Sequence, residues 1–306
     1  MEVISVGAIE NVAVSGVSQD KFILLTLGIK DDGSYESNKI LYFTDTEKKV
    51  IHSIFYSNNV VYMVDSFNNK IIKYNYASNV CSDVTVGRDP RHMCLNNKDN
   101  IYVTNFESDN ISIIDNISFT LAGSIPAGIK PHDIKYYDKN NKLYVSCYEE
   151  NQIIELNPNN GDTKCFYTDG KPMHIFIDDI LIAMTYYANG SVYFKINFLN
   201  IETNRIEDII KIKGLASDME YDYINKILYV INIDDKSIYI IDAIKRKIIK
   251  IIQLGGYPES LSVGEKYLLV TNSKKKIITL IDIETLTIYK NIELEFTPDC
   301  IKIIRL

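Results

Sequence analysis

One short segment recurs seven times along this chain of 306 residues, at a spacing that few folds produce. The segment is a strand-like block of apolar and aromatic residues. Its clearest copies are Ile101–Asn105, Leu143–Cys147, Leu228–Asn232 and Leu268–Asn272. The seven copies begin at residues 23, 61, 101, 143, 180, 228 and 268, in steps of 38, 40, 42, 37, 48 and 40. A repeat of roughly forty residues is typical of β-propeller blades rather than of helical solenoids.

Further strand-like blocks flank each copy. A block closed by Asp or Asn begins ten residues after each clear copy, as in Ile111–Asp115, Ile153–Asn157, Ile238–Asp242 and Ile278–Asp282. A block of the form Pro-x-x-apolar precedes the copies, as in Pro90–Met93, Pro131–Ile134, Pro172–Ile175, Pro258–Leu261 and Pro298–Ile301. Ile, Val and Tyr dominate these blocks, and such residues suit pleated, half-buried surfaces. The pattern predicts an all-β chain that forms one domain over residues 1–306, a β-propeller with seven four-stranded blades.

The two ends of the chain together supply one blade. The segment Pro298–Leu306 contains a single strand with no partner after it. The N-terminal part has strand-like segments near Val3–Val6, Val12–Val14, Phe22–Leu27 and Ile40–Phe43. We therefore expect the C-terminal strand to pair with N-terminal strands, which leaves no open sheet edge at the closure. Six or eight blades remain as alternatives, because the stretch from Phe43 to Val61 has room for only one strand.

The Tyr-Val-Thr-Asn core of residues 102–105, the preceding Pro-x-x-apolar strand and the closing Ile-Ile-Asp resemble the YVTN family of β-propeller repeats. The resemblance covers about residues 50–306. WD40 repeats are a poorer match, since the chain has no tryptophan. Members of the YVTN family include surface-layer, periplasmic and metal-associated proteins. The resemblance therefore implies a fold and little chemistry.

Charge and hydropathy argue against two kinds of partner. The net charge is −7, with 33 basic and 40 acidic residues, which disfavours nucleic acid. No stretch approaches the roughly 18–20 apolar residues that a membrane span needs, so no membrane contact is expected.

The N-terminal residues lack the pattern of a secretory signal, and the five cysteines show no C-x-x-C spacing. We therefore expect reduced thiols and a cytoplasmic protein.

The four histidines all fall in the Pro-x-x-apolar block, or its equivalent, of consecutive repeats. They are His52, His92, His132 and His174, with spacings of 40, 40 and 42 residues. The apolar residue that ends this block is here called the apolar anchor. The residue just before it is His92, Asp133, His174 and Asp218 in four successive repeats. We expect these four side chains to converge at the mouth of the central channel of the propeller. There they would hold one divalent ion, Zn²⁺, Fe²⁺ or Mn²⁺. The alternative is that polar residues beside a channel bind only ordered water.

Neighbouring positions of the repeat predict a polar funnel for a small ligand. Some of these residues lie just before the apolar anchor or one residue earlier. Others lie at the end of the strand that follows, or in the loop after that strand. The residues are His52, His132, Asn105, Tyr148, Tyr186, Asn232, Glu259, Asp299 and Cys300.

Two functions fit these features. The first is a binding module whose funnel takes a small molecule, a metal ion or a protein partner at the propeller face. The second is a metal-dependent hydrolase or lyase that acts through the His/Asp-bound ion. The chain has no Walker, G-x-S-x-G or H-E-x-x-H motif. No catalytic residue is therefore assigned.

Overall fold

A computed structural model of the chain describes residues 10–19, 21–43, 48–96, 100–188 and 190–304. Within these ranges the chain forms 28 β-strands and one 3₁₀ helix of three residues, Tyr148–Glu150. The all-β prediction is therefore confirmed. The segment Val3–Val6, for which a strand was predicted, lies outside the described residues.

The strands form seven four-stranded sheets, as expected for a seven-bladed β-propeller. The first three strands are β1 (Glu10–Ser18), β2 (Lys21–Ile29) and β3 (Tyr35–Phe43). The next two sheets are β4 (Ile51–Ser57), β5 (Val60–Asp65), β6 (Lys70–Asn75) and β7 (Val80–Thr85), then β8 (Pro90–Leu95), β9 (Asn100–Asn105), β10 (Asn110–Asp115) and β11 (Thr120–Pro126).

Four further sheets follow along the chain. They are β12 (Pro131–Tyr137), β13 (Lys142–Cys147), β14 (Gln152–Leu156) and β15 (Thr163–Tyr167); β16 (Lys171–Ile177), β17 (Leu181–Ala188), β18 (Val192–Asn200) and β19 (Arg205–Lys213); β20 (Ala216–Asp222), β21 (Ile227–Asn232), β22 (Ser237–Asp242) and β23 (Lys247–Gln253); and β24 (Pro258–Val263), β25 (Tyr267–Asn272), β26 (Ile277–Asp282) and β27 (Thr287–Glu293). The last strand is β28 (Thr297–Ile304), which joins β1.

The chain divides into two compact units. Unit 1 comprises residues 1–63, 73–81 and 216–306, and unit 2 comprises residues 64–72 and 82–215. The sheets β20–β23 and β24–β27 and the sheet that contains β28 belong to unit 1. The sheets β8–β11, β12–β15 and β16–β19 belong to unit 2. A single domain over residues 1–306 stays a prediction.

Strand β28 pairs with β1 in the sheet order β28-β1-β2-β3. The antiparallel register runs from Asn11 opposite Ile304 to Val17 opposite Thr297. The predicted pairing of the C-terminal strand with N-terminal strands is thus confirmed. The blade count is seven, and the alternatives of six and eight are wrong.

The first strand of most sheets carries a β-bulge between the proline position and the apolar anchor. Pro90 lies opposite Asn105 while Met93 lies opposite Val103, so Arg91 and His92 together face one residue of β9. The same shift occurs in β12, β16, β20 and β24. A bulge interrupts the alternation of side chains between the two faces of a strand.

The hydrophobic core lies between adjacent sheets of each unit. In unit 2, Tyr144 and Phe166 of one sheet pack against Ile175 and Leu181 of the next, and all four are fully buried. In unit 1, Ile278 and Leu280 pack with residues of β1, β2 and β28. Burying one such side chain stabilises the fold by about 1.5–3 kcal/mol. Hydrophobic contact between blades is therefore the main stabilising term.

The hydroxyl in the Tyr-Val-Thr-Asn block links neighbouring sheets. The Oγ1 of Thr104 accepts the backbone N–H of His92 at 3.1 Å and donates to the carbonyl oxygen of His132 at 2.6 Å. In unit 1, Thr271 Oγ1 likewise accepts the N–H of Ser260 at 3.1 Å and donates to the carbonyl of Asp299 at 2.8 Å. Each hydroxyl therefore satisfies backbone groups that a bulge leaves outside the ladder.

The Asp that closes the third strand begins a tight turn. Asp115 Oδ1 accepts the N–H of Ser118 at 2.7 Å, and Asp282 Oδ1 accepts the N–H of Thr285 at 2.8 Å. Such turns are typical of Asp and Asn, whose side chains bond to the backbone shortly after them.

Two further predictions concern the chain as a whole. The five cysteines are all free thiols. No helix in the described ranges has the length and apolar character needed to cross a membrane.

Candidate functional site

Unit 2 brings three histidines together. His92, His132 and His174 lie on β8, β12 and β16, the first strands of three successive sheets. Their ring centroids are 5.0 Å (His92–His132), 5.1 Å (His92–His174) and 5.3 Å (His132–His174) apart. His132 and His174 are buried, and the His92 side chain is 16% exposed. The structure thus brings these three histidines together as an imidazole cluster, whereas the predicted convergence of His92, Asp133, His174 and Asp218 on one ion stays a prediction.

The rings of the imidazole cluster meet mostly edge to face. His174 is inclined by 83° to His92 and by 88° to His132. One ring nitrogen of His92 lies within 4.8 Å of one of His132. His132 also contacts Phe106, with ring centroids 6.2 Å apart.

Asp133 lies beneath the imidazole cluster and is completely buried. Its Oδ1 accepts the N–H of Ile134 at 2.8 Å, and its Oδ2 accepts the N–H of Ile175 at 2.9 Å. The ammonium of Lys135 donates to both oxygens, at 2.8 and 3.0 Å. Burial opposes ionisation, but the charges of Lys135 and His174 together with these hydrogen bonds lower the pKa of Asp133 below its usual value. The group is therefore a carboxylate at neutral pH.

The Asp133 carboxylate faces two rings of the imidazole cluster. Its oxygens are 3.9 Å from Nδ1 of His92 and 3.8 Å from Nδ1 of His174. These distances exceed a hydrogen bond, so the interaction is electrostatic. It favours rings that point Nδ1 toward the carboxylate.

An aromatic rim adjoins the imidazole cluster in unit 2. Phe106 and Tyr148 have ring centroids 6.0 Å apart. The ammonium of Lys130 lies 4.9 Å from the Phe106 centroid and 2.9 Å from Glu107. The same arrangement of a lysine, an aromatic ring and a glutamate recurs in the next sheet. There Lys171 lies 4.8 Å from the Tyr148 centroid and 2.6 Å from Glu149.

Two other predicted ligand-binding residues also lie in unit 2. Asn105 at the end of β9 is fully buried, and its amide donates to Asn110 at 2.7 Å and Ser112 at 2.9 Å. Gly87 packs on that amide so closely that a Cβ there would lie 2.5 Å from Asn105 Cγ. Tyr186 lies on β17 opposite Lys171 and is partly exposed. Asn105 thus has a structural role in the loop before β8, and its contact with a ligand stays a prediction.

Asp218 belongs to unit 1 and makes the same kind of link between sheets as Asp133. Its Oδ1 accepts the N–H of Met219 at 2.8 Å. Its Oδ2 accepts the N–H of Leu261 at 3.0 Å and the hydroxyl of Ser260 at 2.9 Å. Because Asp133 and Asp218 occupy the same repeat position, both side chains point toward the apolar anchor in the first strand of the next sheet.

Unit 1 also contains a pair of carboxyl groups, Glu259 on β24 and Asp299 on β28. Burial and the nearby charge of Glu259 raise the pKa of Asp299 to about 7. Burial also raises the pKa of Glu259, although the hydroxyl of Ser273 donates to its Oε1 at 2.5 Å. Two carboxyl groups in a poorly solvated place resist simultaneous ionisation.

The remaining predicted residues of unit 1 are largely enclosed. Cys300 is buried, and its Sγ lies 3.5 Å from the carbonyl oxygens of Ile51 and His52. Burial raises the pKa of the Cys300 thiol well above its ordinary value. His52 on β4 is partly buried. Asn232 at the end of β21 is fully buried and accepts the N–H of Asp234 at 3.1 Å.

Several residues of these sites were not singled out from the sequence. Lys135 has a visible signal, because it stands two residues after Asp133 and thus on the same side of a strand. Thr104 also has one, since a hydroxyl recurs at this repeat position in Ser146 and Thr271. Phe106 follows a strand end as Tyr148 does, but only the packing shows that its ring contacts His132.

No family model and no curated protein matches the sequence. Solved structures do match. The periplasmic gluconolactonase of Pseudomonas aeruginosa has a TM-score of 0.75 at 11% identity, covering 97% of this chain and 99% of its own. A putative 6-phosphogluconolactonase of Bacteroides fragilis has a TM-score of 0.73 at 15% identity, covering 97% and 98%. Kuenenia stuttgartiensis hydrazine synthase has a TM-score of 0.71 at 17% identity, covering 85% and 92%.

The chain has the fold of a seven-bladed β-propeller. At such low identities the likeness shows the fold alone. Two of these structural neighbours are named as lactonases, which says nothing of the reaction here. Membership of the YVTN family stays a prediction, because no family model supports it.

Proposed function

We propose that this protein is a β-propeller binding module, and that its imidazole cluster binds one divalent transition-metal ion. The observation that carries the proposal is the spacing of His92, His132 and His174, whose ring centroids are 5.0–5.3 Å apart. In a tetrahedral site with metal–nitrogen bonds of about 2.0–2.1 Å, the centroids of two imidazole ligands lie roughly 5 Å apart. Imidazole suits zinc and other late first-row ions.

Asp133 supports this proposal as an orienting group rather than as a ligand. Its oxygens already accept hydrogen bonds from two backbone N–H groups and from Lys135. It faces Nδ1 of His92 and of His174, which leaves Nε2 of each ring as the ligating atom. A carboxylate that accepts the second N–H of a metal-bound histidine commonly fixes the ring and increases its basicity. At 3.8–3.9 Å, Asp133 acts on the two rings through its charge rather than through such a hydrogen bond. Asp218, which accepts three hydrogen bonds in unit 1, has no role in the proposed site.

The test is metal content and metal binding of the full-length chain without a His tag. We expect one Zn²⁺ per chain by elemental analysis after loading and gel filtration. Co²⁺ in its place should give the visible absorption of a tetrahedral site. His132→Ala and His174→Ala should each abolish both signals. Since imidazole binds metal in its neutral form, acid should weaken binding in parallel with the loss of absorption.

Two controls make the result decisive. Tyr148→Phe keeps the aromatic rim but removes a hydroxyl, and it should bind the ion as the wild type does. Asp133→Asn should still bind, with an affinity lower by about 10–100-fold because ring orientation is lost. A chain that retains less than one tenth of an ion, or a His174→Ala variant with unchanged absorption, would refute the proposal.

The enzymatic alternative, a metal-dependent hydrolase or lyase, draws on one carboxyl group and on the names of two structural neighbours. Asp299, whose pKa is raised to about 7, is suited to accept and return a proton at neutral pH. Two structural neighbours are named gluconolactonase and putative 6-phosphogluconolactonase. Hydrolysis of D-gluconolactone by the metal-loaded chain at a rate above that of buffer would favour the enzyme. A rate equal to that of buffer would eliminate lactone hydrolysis.

The wider expectations remain part of the proposal. They are a small-molecule or protein partner at the propeller face, no nucleic-acid or membrane partner, and a cytoplasmic location. The five free thiols agree with a reducing compartment. Fractionation of cells that produce the full-length protein tests the location.

A further inference from the structure

Unit 1 contains a polar pocket that neither the metal proposal nor its alternative uses. Its volume is about 550 Å³, within the range of small-molecule sites. The lining comes from the β4–β5 hairpin and from the C-terminal halves of β20, β24 and β28. The lining includes Tyr56, Asn59, Glu220, Ser262 and Lys302.

The pocket wall contains an ion pair. Lys302 Nζ lies 3.0 Å from Oε1 and 3.3 Å from Oε2 of Glu220, and both side chains are mostly buried, at 30% and 23% exposure. The two charges cancel, and the rest of the lining is uncharged. The pocket therefore offers strong hydrogen-bonding groups without a net charge.

The hairpin places an aromatic ring at the same pocket. Asn58 and Asn59 form the two-residue loop between β4 and β5, with φ of +49° and +61°. This backbone conformation is typical of tight hairpin turns, and Asn tolerates it. The Tyr56 hydroxyl donates to Asn59 Oδ1 at 3.1 Å and accepts the N–H of Asn59 at 3.2 Å. These two hydrogen bonds hold the Tyr56 ring against the turn that follows it.

We propose that this pocket binds a neutral polyhydroxylated ligand of mono- or disaccharide size. Vicinal hydroxyl groups can donate to Glu220 and accept from Lys302 without separating the pair. A zwitterion or a free anion would compete with the existing pair, and parting two half-buried charges is costly. The buried hydroxyl of Ser262, which accepts the N–H of Ile303 at 3.0 Å, can donate to the ligand. The Tyr56 ring offers an apolar face for the C–H side of a sugar.

The test is isothermal titration calorimetry of the full-length chain with D-glucose, D-galactose and sucrose as neutral probes. Sodium gluconate and glycine serve as anionic and zwitterionic probes. We expect at least one neutral probe to bind more tightly than gluconate and glycine. The double variant Lys302→Met/Glu220→Gln keeps the volume of the pocket but removes the pair, and it should lose at least about tenfold in affinity.

Lys139→Met is the matched control, because Lys139 forms an exposed ion pair with Asp179 in unit 2. It should bind the neutral probe as the wild type does. A thermal melt of each variant confirms that it is folded. The absence of binding by all three neutral probes, tighter binding of gluconate or glycine, or undiminished binding by the folded double variant would each overturn the proposal.

Discussion

Single polar residues next to the bulges hold neighbouring blades together. Asp133 and Asp218 each accept the backbone N–H of the apolar anchor in the next sheet, at 2.9 and 3.0 Å. Two of the four polar residues that the sequence places just before the apolar anchor are thus used for contacts within the protein. His92 and His174 share the position and contribute rings to the imidazole cluster instead.

Asp299 makes the stability of unit 1 dependent on pH. Its pKa of about 7 lies above the ordinary 3.8, so between these values the folded chain holds a proton that the unfolded chain releases. The free energy of unfolding should therefore fall as pH rises through this window and stay lower above it. Asp299→Asn removes this effect. We expect the variant to exceed the wild type by roughly 2–4 kcal/mol at about pH 8, and by little near pH 4.

Chemical denaturation at both pH values measures the difference. Asp179→Asn is the control, because that carboxyl group lies at the surface and should show no such dependence. A stability difference between Asp299→Asn and the wild type that is equal at both pH values would contradict the assignment.

The second strand of a blade carries a hydroxyl that joins two sheets. In β13 this is Ser146, whose Oγ accepts the N–H of Asp133 at 2.8 Å and donates to the carbonyl of Met173 at 2.7 Å. Thr104 and Thr271 do the same in β9 and β25. The strand position therefore determines how a bulged first strand is attached to both its neighbours.

Ser146→Ala should weaken this attachment. The change leaves a backbone N–H and a backbone carbonyl without the serine, in a place that water reaches poorly, which costs about 1–3 kcal/mol. Urea denaturation measures the loss. Ser146→Thr keeps the hydroxyl, as Thr104 and Thr271 do, and should stay near the wild type. Equal stability of the alanine and threonine variants would show that the hydroxyl bridge contributes nothing.

The pairing of β28 with β1 joins the two ends of the chain within one sheet. Strand β28 contributes Ile301 and Ile304, which are 3% and 1% exposed. Burial of each is worth about 1.5–3 kcal/mol, and the total stability of a domain is typically about 5–15 kcal/mol. One terminal strand thus carries a large share of the stability of its sheet.

Deleting Pro298–Leu306 should therefore yield a chain that aggregates or unfolds far below the wild-type melting temperature. The deletion also exposes the hydrogen-bonding edge of β1. Gel filtration and a thermal melt measure the effect. A chain that ends after Ile304 keeps β28 and should behave as the wild type. If the shorter chain melted like the full-length one, this account of closure would be wrong.

The sequence by itself determined the all-β class, the seven repeats, the turns after each Asp, and the closure by the C-terminal strand. These depend on local alternation and on repeat length, both of which are visible in one dimension. It also placed His92, His132 and His174 in the same block of successive repeats, but His132 lies one residue earlier in its block than the other two. The contact of all three rings therefore does not follow from one shared repeat position.

The direction of each polar side chain depended on the tertiary structure. A β-bulge shifts the face of every residue after it, and the partners of Asp133 and Asp218 lie 42 and 43 residues away in the neighbouring sheet. The polar pocket likewise combines Tyr56, Glu220 and Lys302 from distant repeats. Only the packing of one sheet on the next decides these contacts, because no local pattern encodes the distance between two strands that do not pair.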